Sequence, residues 1–310
     1  MDSYNTELTY FYTNNYLNYI VERFNYENFS YFNETNDYKF IAPILYTNNK
    51  VESGMLSYLP LPFISHSATA KQAKNELKNF FEKIYKLAPK RIAFRQDPSV
   101  VYSNQIIKSM LQEGFVPNIF YTSIVELCND ENILWHNTRK SFKSLINGLK
   151  NNSEYKLIIV DSVTNIEGIN DWINMYINLV KRGGGNPTKD KFKNIETSVK
   201  EDFAYLYLLY NNSQELISGV HITFNNSFAY YSASGTNINY ENSDYFSHYL
   251  LWNAMLDLKL KGFKKLEIGP IFYDNVKNFY QHSLKELSIS DFKIGMGGEL
   301  VPFTIWEKLF

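Results

Sequence analysis

Three glycines within four positions, Gly295, Gly297 and Gly298, interrupt otherwise regular patterning near the end of this 310-residue chain. Glycine loses more backbone freedom on folding than any other residue, so such a cluster suits neither an ordinary helix nor an ordinary strand. It marks a place where the chain turns sharply or where something comes close to the backbone. Upstream, residues 246–262 (FSHYLLWNAMLDLKLKG) carry Leu250, Leu251, Ala254, Met255 and Leu258 at the spacing of one apolar helix face. Gly262 stops that helix, at a position that commonly adopts the left-handed conformation. Residues 264–269 (KKLEIG) read as a short strand and 270–290 as a loop. Asp291-Phe292-Lys293-Ile294 then leads into the glycines, with a further strand over 299–303.

This ordered combination resembles the C-terminal end of the FemAB-like branch of the GNAT acyltransferase superfamily. That branch has a helix ending in A…G, a strand ending in glycine, and a signature close to FK…FGG. Here the signature reads Phe292-Lys293 followed by Met296-Gly297-Gly298. A second piece lies at 132–150 (NILWHNTRKSFKSLINGLK), an amphipathic basic helix whose Trp135 and Arg139-Lys140 match the W…RK opening of the helix that joins the two halves of such proteins.

The rest of the chain is compatible with that plan. Tyr16, Tyr19, Ile20 and Phe24 fall at helical spacing. Residues 38–46 and 51–59 form two extended runs around an Asn-rich turn at 47–50, a hairpin. The two prolines of 59–67 forbid a central strand and predict an irregular loop. A strong helix over 68–87, a strand at 91–94, a helix over 99–112 opened by Pro98, and strands over 115–127 complete the first half. The second half reads as a strand at 156–161, helices at 166–182 and 189–202, a hairpin of 203–210 with 216–224, and a strand at 227–234. The expected fold class is therefore α/β (α+β). The resemblance implies tandem GNAT-like domains, each a mixed, largely antiparallel sheet flanked by helices: 1–131, a linking helix 132–150, and 151–310.

Composition sets bounds on function. With 45% hydrophobic residues the chain can bury a sizeable core, and a formal net charge of -1 argues against a generally basic nucleic-acid surface. The single cysteine, Cys128, cannot close an internal disulfide and fits a reducing compartment. The opening MDSYNTELTYFYTNN has neither a basic nor an apolar leader region, and no apolar run approaches the roughly 18 residues of a membrane helix. A cytoplasmic protein without a membrane span is expected. Five histidines without close spacing give no metal-ligand cluster, and no G-x-S-x-G, Walker or Rossmann motif is present.

The resemblance implies transfer of an acyl group from a thioester or ester to an amine, catalysed by positioning and by a donor to the developing oxyanion. CoA-using members bind pyrophosphate on a Gly-rich turn at a helix N-terminus. The corresponding interval here, 232–246, lacks glycine at the helix start and carries Glu241 and Asp244. That departure favours the branch whose peptidoglycan members take an aminoacyl group from a charged tRNA. The proline loop, Tyr58-Leu59-Pro60-Leu61-Pro62-Phe63, looks more like the family's polysaccharide and cell-envelope acyltransferases.

Lys293 is the expected catalytic residue, able to bind phosphate or stabilise the leaving ester, with Phe292, Gly297 and Gly298 around the substrate channel. Arg182, Lys189 and Lys191 flank the Gly183–Gly185 run and are candidates to hold a diphosphate-linked acceptor by charge-assisted hydrogen bonds. His66 is a candidate for the acceptor cleft. Glu267 and Asp274 are candidate general bases. No bound cofactor is expected. The donor would be aminoacyl-tRNA or acyl-CoA as co-substrate, and the acceptor a nucleotide- or lipid-linked sugar or muropeptide. Two alternatives stand beside this reading: an acyl-CoA-dependent N-acyltransferase acting on an amino sugar, and a non-catalytic GNAT-fold binding protein.

Overall fold

The last strand decides how the chain divides. In the computed structural model, which describes residues 10–52, 59–98, 100–185, 187, 192–240, 245–273 and 282–310, it runs over Glu299–Leu309, well past the expected 299–303. Residues 302–310 group with 1–120 as one compact unit, and 121–301 form the other.

In the first unit, Thr304 to Leu309 pair antiparallel with Gln96 to Arg91 of the strand Arg91–Gln96. That strand also pairs in parallel with Lys50–Val51 and Leu59–Pro60. The hairpin of Leu45–Thr47 with Lys50–Val51 turns through Asn48 and Asn49, both at positive φ, as a two-residue Asn turn requires. The strand expected over 38–46 is broken at Pro43, which has no amide hydrogen to donate. Lys39–Ala42 joins a small second sheet with Tyr31–Glu34 and Phe63–Ile64, while Leu45–Thr47 stays with the first.

The proline segment 59–67 is more regular than an irregular loop. Leu59–Pro60 and Phe63–Ile64 are each two-residue strands, kept short by the prolines. Helix Ala70–Tyr85 starts with a capping box of Thr69 and Gln72 and buries Leu77, Phe80, Phe81 and Ile84. The helix expected from 99 begins only at Asn104, capped by Ser103. The hydroxyl of half-buried Tyr102 accepts the Asp97 amide at 3.1 Å, a tie that competes with helical bonding just upstream.

The second unit holds a six-stranded sheet in the order 121–126, Lys265–Ile271, Phe228–Thr236, Leu216–Asn225, Ala204–Asn211, Tyr155–Val160. All neighbours are antiparallel except Phe228–Thr236 with Lys265–Ile271. Strict alternation along Ala204–Asn211 feeds two cores. Leu206, Leu208 and Tyr210 pack with helices Gly168–Arg182 and Lys193–Lys200 on one face. Tyr207 and Leu209 pack with Lys140–Lys150 and Tyr245–Leu260 on the other. Gly219 and Gly235, paired across adjacent strands, let the helix come close. A Cβ on Gly219 would stand 2.5 Å from the Trp172 ring, and one on Gly235 2.0 Å from Leu179.

Two expectations change here. The single helix of 132–150 is two, Glu131–Asn137 and Lys140–Lys150, separated where Thr138 is extended (φ -64, ψ 136). The described end of the expected 270–290 loop is helical: Leu284–Gly295, capped by a Ser283–Glu286 box. Among the described residues no helix is long and apolar enough to cross a membrane, and no cluster of three or more His, Cys, Asp or Glu could hold a metal ion.

Candidate functional site

Helix Leu284–Gly295 is held from below by the glycines that follow it and from the side by the helix Lys140–Lys150. A Cβ on Gly295 would stand 2.2 Å from the Phe142 ring, so only glycine lets that ring lie against the helix end. Gly297 has φ +89, and its Cβ position is 2.8 Å from the Asn137 carbonyl carbon and 3.0 Å from the Thr138 nitrogen. Gly298 lies against the strand, its Cβ position 2.2 Å from Ser123 Oγ. The Arg139 amide donates to the Gly295 carbonyl at 2.8 Å, which occupies the place where 132–150 stops being one helix. The Arg139 guanidinium forms two 2.8 Å bonds to the Asp291 carboxylate and holds it below the usual carboxylate range. Both residues of that pair are substantially exposed, so its value lies in geometry more than in stability. The two motif pieces read from the sequence are thus one structure, a clamp on the helix that carries Phe292 and Lys293.

The clamp directs Lys293 to a break in the sheet. The two parallel strands pair over Phe228↔Lys265, Ala229↔Leu266 and Tyr230↔Glu267, and no further. Beyond Tyr230 the strand continues as Tyr231–Thr236, half-buried throughout, with Ser232 the extra residue of a β-bulge against Leu216–Asn225. On the other side the register slips at Ile268, and Gly269 adopts φ +108. Lys293 Nζ donates to the Pro270 carbonyl at 3.0 Å, and a Cβ on Gly269 would lie 3.1 Å from it. Burial lowers the Lys293 ammonium to about 8, an effect only partly offset by the Glu267 carboxylate. Glu267 is itself buried and accepts the Thr122 hydroxyl at 2.7 Å. Buried His248 packs edge-on to Phe142 and Phe292, with ring centroids at 4.1 and 4.9 Å.

A half-buried lysine whose ammonium is lowered to about 8 can donate a hydrogen bond to developing negative charge, and it sits where two strands leave backbone groups unshared with each other. Strands that part in this way can accept an extended, amide-bearing chain between them.

Of the residues singled out in the sequence, Lys293, Phe292, Gly297, Gly298 and Glu267 come together. Arg182 does not join them: exposed at the end of helix Gly168–Arg182, it lines a separate pocket of about 300 Å³. His66 lies in an exposed turn of the first unit. Lys189, Lys191, Asp274, and the acidic interval at 241–244 fall outside the described residues. Sequence reading missed Thr122 and His248, which sit in ordinary strand and helix patterns and give no local signal. The S-x-x-E box at Ser283–Glu286 is a local signal for the helix that replaces part of the expected loop, and it was passed over.

No family model matches the chain, and no curated protein matches it by sequence. Solved structures do resemble it. FemX aligns with a TM-score of 0.63 at 12% identity, over 90% of this chain and 88% of that one. L-PGS from Bacillus licheniformis aligns at 0.60 and 10%, over 94% and 85%. A conserved protein of unknown function from Bacteroides thetaiotaomicron aligns at 0.58 and 10%, over 95% and 90%. At such identities the likeness is one of fold alone: a mixed α/β architecture of helix-flanked sheets.

Proposed function

We propose that this chain is an acyl-group transferase that joins an acyl carbonyl to the amine of a sugar-containing acceptor, on two GNAT-like domains in tandem. The observation that carries the reading is Lys293, clamped by the residues of the FK…GG signature and delivered to the point where the parallel strands part. In this reading the donor carbonyl lies between the strands. The Lys293 ammonium hydrogen-bonds the oxyanion that forms when the amine attacks, and then the departing thiolate or ester oxygen. Phe292, Gly297 and Gly298 fix the lysine. Lys189 and Lys191 are assigned to the acceptor.

The superfamily fold is compatible with a thioester donor such as acyl-CoA and an amino-sugar acceptor. The narrower reading, an aminoacyl group from charged tRNA passed to a cell-envelope or polysaccharide precursor, rests on the signature and on the acidic interval at 241–244. Amide formation by the purified protein, assayed with acyl-CoA esters and with aminoacyl-tRNA in parallel, separates them. Lys293→Ala is expected to lower turnover with the productive donor by about 10²–10³-fold, with the fold intact by circular dichroism. Turnover by the variant at the wild-type rate would remove the lysine from the chemistry. Failure of both donor classes would leave a binding protein.

A further inference from the structure

The pocket beside Arg182 has its own chemistry. It opens where the strand Phe228–Thr236 ends, and at about 3.3 Å per residue Thr236 stands roughly 20 Å along that strand from Tyr230. Its volume of about 300 Å³ is at the small end for ligand sites. Asp171, Asn174, Asn178 and Arg182 recur at three- and four-residue spacing, so one face of the helix Gly168–Arg182 forms a wall of hydrogen-bonding groups. Gln214, Glu215 and Asn237 form the other wall. The four carboxamides among these residues both donate and accept, which matches hydroxyl groups rather than ions.

The carboxylates are held in place before any ligand arrives. Tyr210 donates its hydroxyl to Asp171 at 2.9 Å; Tyr240 and the Asn237 amide donate to Glu215 at 2.9 and 3.1 Å. One guanidinium against two carboxylates leaves the lining at a formal +1 - 2 = -1, which opposes a phosphate or diphosphate. Buried Met175 and Leu216 supply an apolar patch suited to the C–H face of a ring.

We infer that this pocket binds a saccharide ring, with an amino sugar preferred over a sugar phosphate. The ring hydroxyls meet the carboxamides, and the ammonium meets Asp171 and Glu215. This assignment goes beyond the transferase reading and does not depend on it, because it follows from the lining alone.

Saturation-transfer and protein-observed NMR on the full chain, with glucosamine, N-acetylglucosamine and inorganic pyrophosphate as probes, tests it. Glucosamine is expected to bind saturably and more tightly than N-acetylglucosamine, and pyrophosphate not at all. The double variant Asn174→Ala/Asn178→Ala removes two hydrogen-bonding side chains and is expected to weaken glucosamine about ten-fold or more. Both positions are exposed on a helix, where alanine is the better helix former, so folding is preserved. Asp171→Asn keeps an acceptor for Tyr210 and should erase the preference for glucosamine. Asn147→Ala, at a separate cavity of about 230 Å³ beside Trp135 and Trp252, should change nothing.

Absence of saturable sugar binding, preference for pyrophosphate, or binding unchanged in the double variant overturns the inference. Sugar binding without amide formation would leave it standing while the transferase reading fails. Amide formation with an empty pocket would do the reverse.

Discussion

Each unit contains a pair of parallel strands that hydrogen-bond briefly and then part, and the two pairs are finished in opposite ways. In the first unit Leu59↔Phe94 and Pro60↔Arg95 are the paired residues, and the Leu61 amide still reaches the Arg95 carbonyl at 2.7 Å. Beyond them the space is filled. Tyr12 donates its hydroxyl to the Leu61 carbonyl at 2.6 Å and meets the Tyr102 hydroxyl at 2.6 Å, while the Arg95 guanidinium lies over the rings of Phe303 and Phe11 at 4.5 and 5.4 Å. In the second unit Tyr230↔Glu267 ends the pairing, the strand beyond is half-exposed, and the charged group is Lys293. A guanidinium in a protein does not give up its proton, so the first arrangement is a permanently charged plug. A buried amine can give it up. The same local device thus serves packing in one unit and leaves a titratable group in the other.

Removing the charge should therefore have opposite effects on stability. Arg95→Ala takes away a buried guanidinium that lies over the rings of Phe303 and Phe11, a loss of about 2 kcal/mol. Lys293→Met removes a charge that burial already disfavours and should raise stability at pH 7 by about 1 kcal/mol, at the expense of activity. Denaturant unfolding, with hydrogen exchange on Arg91–Gln96 and Ala204–Asn211 to assign each change to its unit, measures both. Destabilisation by both variants would mean that Lys293 is a structural plug like Arg95.

Much of the second unit could be read from the chain, and the reason is periodicity. The helix Tyr245–Leu260, the hairpin of Ala204–Asn211 with Leu216–Asn225 and the strand Lys265–Ile271 bury one or both faces with regular spacing, so apolar residues mark them. The contacts around the site of Lys293 could not be read that way. Thr122 and Glu267 meet across 145 positions of sequence, and His248 differs from its helical neighbours in nothing local. The break at Thr138 was hidden because its cause, the approach of Gly295 and Gly297, lies in a distant segment. In the first unit the prolines were read as forbidding a central strand and implying an irregular loop, which overlooked the two-residue strands that they permit.

The glycines offer a smaller test of the same contrast. Gly114 and Gly297 both have positive φ, +80 and +89, so alanine is strained at either. A Cβ on Gly114 meets nothing within 4 Å, whereas one on Gly297 runs into the backbone of Asn137 and Thr138. Gly114→Ala should cost about 1 kcal/mol and leave activity alone. Gly297→Ala should cost about 1–3 kcal/mol and reduce activity as well, because the helix that carries Lys293 has to move. Equal costs with equal activity would mean that the clamp does not position the lysine.

The smallest effect is a slope in pH, and its sign follows from linkage. Lys293 has its pKa lowered to about 8 in the folded chain, while the unfolded chain keeps the ordinary lysine value. Below about pH 8 both states hold the proton, and the burial cost is present in full. Between there and the ordinary value the folded chain has lost its proton while the unfolded chain still holds one, so stability rises with pH; above that value it levels off. Lys293→Met should remove this rise, and Arg95, which does not titrate, should contribute none. The same proton governs the proposed chemistry. If the ammonium is the form that stabilises the oxyanion, kcat/KM has a descending limb near pH 8, and Lys293→Arg, with its permanent charge, moves that limb upward. A limb that stays at the same pH in the arginine variant would belong to another group.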